Sequence, residues 1–165
     1  MKQLVFSIFF ALLALPAGAQ YLTSHIGEVK DAYNFWFYEA PKSADTGNVA
    51  NRKTSKPLVV FLHGRSLCGR NINSVLRYGP IDALLKGMVI DADVLAPQNP
   101  GGSWKPSKVI RLIDWAQAHY DIDSNRVYLI GMSLGGYGTL DVAGTYPDRF
   151  AAAMALCGGS TLKNF

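Results

Sequence analysis

Gly131-Met132-Ser133-Leu134-Gly135 is the stretch of this chain with the most legible chemistry. A serine with a glycine two residues away on either side can sit on a sharp turn between a strand and a helix, where bulkier neighbours would clash. There it presents its Oγ to a carbonyl carbon. Such a serine is an efficient nucleophile beside a base that takes its proton and a third group that orients the base, and a poor one without them. The chain has three histidines, His25, His63 and His119, and all precede Ser133. Beyond Gly135 the only acids are Asp141 and Asp148. Ser133 is therefore the candidate catalytic residue of a sequence that does not display an obvious base for it.

The flanking residues supply the context that the pattern requires. Arg126-Val127-Tyr128-Leu129-Ile130 is β-branched and aromatic and reads as a short buried strand after the turn-like Asp121–Asn125. From Gly135 to Thr145 the pattern is helical, and it stops at Tyr146-Pro147 because a proline disfavours helix in the residue before it. Leu58–Leu62 is a continuous apolar run, as expected of a central strand covered on both faces. Further elements are an early, antiparallel strand within Tyr33–Tyr38, a surface loop over Ala40–Lys56, and a short helix over Pro80–Leu85. A strand over Asp93–Ala96, an amphipathic helix over Ser107–His119 and a strand over Phe150–Leu156 follow. From Leu58 onward, strand and helix alternate, which predicts an α/β fold: a mostly parallel sheet with helices on both faces. In such sheets the loops at the carboxyl ends of the strands hold the site. That rule makes His63, Asn99 and Trp104 candidates for the substrate pocket, His63 chiefly through the shape of its turn. His119 closes a helix on the flank of the sheet and is not expected to act on substrate.

Composition narrows the classes. Hydrophobic residues make up 49% of the chain and charged ones 17%, which excludes disorder. The net charge is +4, but the basic residues are scattered apart from Arg52-Lys53 and Lys56, so nucleic acid is not an expected partner. Lys2, the apolar run Leu4–Leu15 and Ala17-Gly18-Ala19 form a signal peptide over 1–19, followed by a domain over 20–165. The apolar run is shorter than the about 20 residues that span a bilayer, and no cysteine follows it at the cleavage site. The expectation is export to a periplasm or the medium without a membrane anchor. Cys68 and Cys157 both follow strands at the site end of the sheet, which allows a disulfide in an exported protein, and free thiols are the expectation. No C-x-x-C or histidine–cysteine ligand set occurs, so neither a metal nor another cofactor is expected.

Taken in order, Pro57–Gly64, Leu95–Trp104, Asp123–Gly138, Tyr146–Ala151 and Cys157-Gly158-Gly159 resemble the α/β-hydrolase superfamily. The resemblance is to its secreted esterase and peptidase branch, near dienelactone hydrolases and prolyl-oligopeptidase-type domains. It implies that backbone amides at or beside Arg65, after the His63-Gly64 turn, and at Leu134 form the oxyanion hole. It also implies a serine hydrolase of carboxylic esters, among them acylated glycans, or of peptides. An acyltransferase and a non-catalytic binding protein on the same scaffold are the alternatives. The family order is serine, acid, histidine, with two further strands carrying the last two. The expectation is thus a partial domain, lacking the last strands, with the triad acid and histidine beyond Phe165 and little turnover of its own.

Overall fold

The computed structural model describes residues 21–41 and 55–162. The expected signal peptide and most of the Ala40–Lys56 loop lie outside the described residues. Six strands form one sheet: β1 (Leu22–His25), β2 (Asn34–Tyr38), β3 (Lys56–Leu62), β4 (Asp93–Gln98), β5 (Ile122–Met132) and β6 (Ala152–Leu156). The spatial order is β1-β2-β4-β3-β5-β6. β1 and β2 run antiparallel to their neighbours, whereas β4, β3, β5 and β6 are mutually parallel. Three helices connect the parallel strands: α1 (Pro80–Leu85), α2 (Pro106–His119) and α3 (Leu134–Thr145). This is the mostly parallel α/β sheet expected from the alternation of elements.

The period of two along each strand divides the core into two layers. Phe35 and Phe37 of β2, Leu58, Val60 and Leu62 of β3, Leu95 of β4, and Val127 and Leu129 of β5 face one way. They meet Val109, Leu112, Ile113 and Ala116 of α2 and Val142 of α3. Tyr38, Val94 and Ala96 face the other way, onto Val75, Ile81 and Leu84 of α1 and the 3-10 turn Ile72–Arg77 before it. β3 is buried by helices on both sides, which is why its sequence is apolar without alternation. Among the described residues β6 pairs with β5 alone, and Met154 and Leu156 are exposed.

Two local readings change. Asp121–Asn125, expected as a turn ahead of the strand, lies largely within β5, which begins at Ile122. The turn chemistry is nonetheless there, as a bulge. Asp123 accepts from the Asn125 amide at 2.9 Å and from Arg126 Nε at 3.0 Å. The pairing with β3 jumps from Lys56–Ile122 to Leu58–Val127 across it. β1 was not anticipated at all. It is a four-residue edge strand with two exposed positions, too short to show a pattern.

Candidate functional site

Because β3 to β6 are parallel, their carboxyl ends converge, and the loops leaving them build one surface. Ser133 stands between the last residue of β5 and the first of α3, with φ +55° and ψ −117°. A left-handed φ is unfavourable for a residue with a Cβ, and it persists only where the surroundings enforce it. Here the enforcing contacts are explicit. The Ser133 amide donates to the Leu156 carbonyl at the end of β6 (2.8 Å), and its own carbonyl accepts from Tyr137 at 3.0 Å in the first turn of α3. The side chain is solvent-exposed.

The glycines of the pattern are dictated by close approach. A Cβ at Gly131 would meet Thr139 Oγ1 at 2.5 Å and collide with the Gly135 carbonyl. A Cβ at Gly135 would overlap the Leu62 carbonyl oxygen and sit 2.8 Å from that of His63. The elbow is thus pressed against the end of β3, and Gly64 lies beside it: a Cβ there would be 3.4 Å from Ser133 Cβ and 3.1 Å from the Tyr78 hydroxyl.

Arg65 opens the 3-10 turn Arg65–Leu67, and Leu134 opens α3. As first residues of their helical segments, both carry amides with no acceptor inside the segment. Both residues line one half-open cleft of ≈ 420 Å³ with Cys68, Gly101, Gly102 and Ser103. Ser103 and Leu134 also border a smaller hollow of ≈ 190 Å³, walled by Trp104, Tyr137, Gly138 and Thr161. The structure therefore brings Arg65 and Leu134 together beside the elbow and sets Trp104 in the adjoining hollow, although Trp104 is itself buried against Gly138 and Tyr33.

His63 and Asn99 are both fully buried: Asn99 does not make the substrate contact expected of it, and His63 touches no open space but shapes its turn from within, as expected. His63 Nδ1–H donates to the Gly64 carbonyl (2.8 Å), and Nε2 accepts the Asn99 amide at 3.0 Å. Asn99 accepts from the Gly101 amide (2.9 Å) and donates to the Gly102 carbonyl at 3.1 Å. Gln98 donates to the Leu67 and Gly69 carbonyls. These bonds tie the loop after β3 to the loop after β4 and leave no side-chain nitrogen of His63 for a substrate.

The same bonds give His63 a testable signature. Burial holds its pKa below the ordinary 6.5, only partly offset by its bond to Gly64. A proton on Nε2 would also face the Asn99 N–H. The folded state therefore refuses a proton that the unfolded chain accepts, so the stability due to neutral His63 is complete above 6.5 and drains as pH falls below it. The midpoint of thermal unfolding should fall between about pH 7 and about pH 5, and His63→Gln should flatten that slope while lowering stability throughout. An unchanged slope in the variant would contradict this role.

The remaining histidines are engaged far from the elbow. His25 stacks on Phe35 and is paired with Glu28, and His119 stacks on Trp115. Asp141 is held in a clamp, accepting from Ser160 Oγ (3.1 Å) and from the Thr161 amide and hydroxyl, each at 2.7 Å. Asp148 lies exposed in the turn after α3. Cys68 and Cys157 are free thiols. Among the described residues no cluster of His, Cys, Asp or Glu could hold a metal ion.

Two residues of this surface escaped the sequence reading. The Tyr78 hydroxyl accepts the Gly64 amide at 2.8 Å and so fixes the turn that presents Arg65. Ser103 borders both hollows. Tyr78 had a weak signal, its place before Gly79-Pro80. Gly79 has φ +94° and packs on the Phe61 ring, which sets the tyrosine against β3.

Residues 98–165 match the prolyl oligopeptidase family. Feruloyl esterase B of Talaromyces stipitatus is 37% identical over 68 residues, which is 41% of this chain and 19% of that protein. A thermostable esterase of known structure superposes with a TM-score of 0.60 and 27% identity, over 85% of this chain and 42% of that one. The chain is an α/β-hydrolase in fold. Acetyl xylan esterase from Aspergillus awamori shares that α/β-hydrolase fold, with a TM-score of 0.64, 21% identity and coverage of 84% of this chain and 52% of the esterase. The chain thus spans about a fifth of that curated relative and about half, or less, of these two solved α/β-hydrolases.

Proposed function

We propose that this chain carries the acyl-binding and nucleophilic side of a serine esterase. Ser133 Oγ gives up its proton to a base and attacks the carbonyl carbon of a carboxylic ester. The carbonyl π pair moves onto its oxygen to form a tetrahedral oxyanion, whose collapse expels the alcohol, protonated by that base, and leaves an acyl-serine. The amides of Arg65 and Leu134 donate to the oxyanion, an interaction for which losing one donor typically costs about 10²–10³ in rate. The observation that carries the reading is the left-handed φ of +55° at Ser133, enforced by the bond to Leu156 and the press of Gly135 on β3. The substrate class is an ester of a small acid, including acyl groups on glycans, in keeping with the names of the feruloyl and acetylxylan esterases that it resembles. None of the three histidines of this sequence is placed to serve Ser133, so the base and its orienting acid are assigned to residues outside these 165. The leader over 1–19 exports the protein.

A serine that acylates without a base to promote deacylation should retain its acyl group. Treatment with p-nitrophenyl acetate should leave an acetyl adduct detectable by intact mass, absent from Ser133→Ala. A folded wild-type protein that gains no adduct even with imidazole supplied as an external base would instead favour a non-catalytic binding scaffold.

A further inference from the structure

The larger cleft has a charge that the esterase chemistry does not use. Arg65 is the one charged residue lining it among the described residues. Its side chain is exposed and belongs to no ion pair among the described residues. The neighbouring Cys68 does not neutralise it: burial pushes the thiol up from its ordinary range, against the pull of the Arg65 charge. The other acid nearby, Asp141, borders the smaller hollow and is bonded to Ser160 and Thr161.

Gly101 and Gly102 line the same cleft and contribute only backbone to it. They have φ of +147° and +75°, which favours glycine, and a Cβ on either would meet nothing within 4 Å. The cleft therefore offers open room, a guanidinium and the Ser103 hydroxyl, all beside Leu134 and the elbow. A guanidinium binds carboxylates through paired N–H donors, and partial enclosure strengthens the contact relative to open solvent.

We infer that the cleft selects esters bearing a carboxylate, with the Arg65 side chain as the anion-binding, specificity-determining group. This rests on the reading of Ser133 as nucleophile, since it is the adjacency to the elbow that makes the bound anion part of a substrate. The Arg65 backbone amide and side chain then have separate duties, one toward the oxyanion and one toward the remote carboxylate.

Binding of monomethyl glutarate and of its uncharged counterpart methyl valerate, measured by ligand-observed NMR on the whole chain, tests this without requiring turnover. Monomethyl glutarate should bind about tenfold or more tightly than methyl valerate, the ratio expected for a charge-assisted pair. Arg65→Gln should remove the difference, Arg65→Lys should restore part of it, and Arg70→Gln, outside the cleft, should leave it intact. Equal binding of the two esters, or a preference that survives Arg65→Gln, would overturn the inference. The two readings fail separately. Anion preference retained in Ser133→Ala supports the charge assignment, even if the wild type never acquires an acetyl adduct. Acetylation of Ser133 without any anion preference overturns the charge assignment alone.

Discussion

Gly135→Ala should abolish the cooperative unfolding transition of the domain or lower its midpoint drastically. Two effects of opposite sign compete. Within a helix, alanine is favoured over glycine by about 1 kcal/mol. Against this, the new Cβ would overlap the Leu62 carbonyl oxygen and lie 2.8 Å from the His63 carbonyl. Overpacking of side chains in a core costs about 1–3 kcal/mol, occasionally more. Here the obstructing atoms are backbone of β3, the strand between β4 and β5, and no rotamer change relieves them. The steric term should win by enough to consume much of the about 5–15 kcal/mol that holds a domain together. Gly159→Ala is the control, because the nearest atoms to its Cβ would be those of the Tyr137 side chain, at 3.2 Å and beyond, with no backbone closer. Circular dichroism melts of the two variants decide the matter. A Gly135→Ala protein that melts with the wild type would mean that α3 does not press on β3 as described.

Asp141→Ala should destabilise the domain by about 1–3 kcal/mol and release the segment after β6. Its carboxylate gathers three donors from Ser160 and Thr161, and bonds to a charged acceptor are each worth about 1.5–3 kcal/mol. The net loss is smaller than their sum because Thr161 is exposed and regains water. Asp141→Asn keeps an acceptor and should lose less. Hydrogen exchange at the Thr161 amide reads the clamp directly: fast exchange is expected in Asp141→Ala and intermediate exchange in Asp141→Asn. Protection equal to wild type in both would show that the segment is held by other contacts, such as the packing of Gly158 on Gly136.

What the sequence made legible follows from periodicity and from glycine. Leu58–Leu62, the helix ending at His119 and the strand–serine–helix passage through Ser133 are marked by apolar spacing and by residues that only a sharp turn requires, and each lies where that spacing put it. The pattern implied a sharp turn at the serine, and its left-handed backbone is a finding of the structure. Other features were hidden because they depend on contacts distant in sequence. The position of Asn99 at a strand end marks a pocket residue, yet its bond to His63 spans 36 residues and lies within the core. Tyr78 reaches Gly64 across 14 residues, and Asp141 reaches Thr161 across 20. Polar side chains on loops carry no periodic signal that distinguishes a substrate contact from an internal tie. The Asp123 bulge was misplaced for a related reason: its local hydrogen bonds are those of a turn, and only the pairing with β3 makes it part of a strand.

The reading of Ser133 as the nucleophile is tested most directly by where a fluorophosphonate probe attaches. The chain should be incubated with the probe, with and without imidazole as an external base, digested and mapped by mass spectrometry. The expected result is a single phosphonylated site at Ser133, formed faster with imidazole and absent from Ser133→Ala. Labelling elsewhere, or a folded chain that remains unlabelled under both conditions, would contradict it.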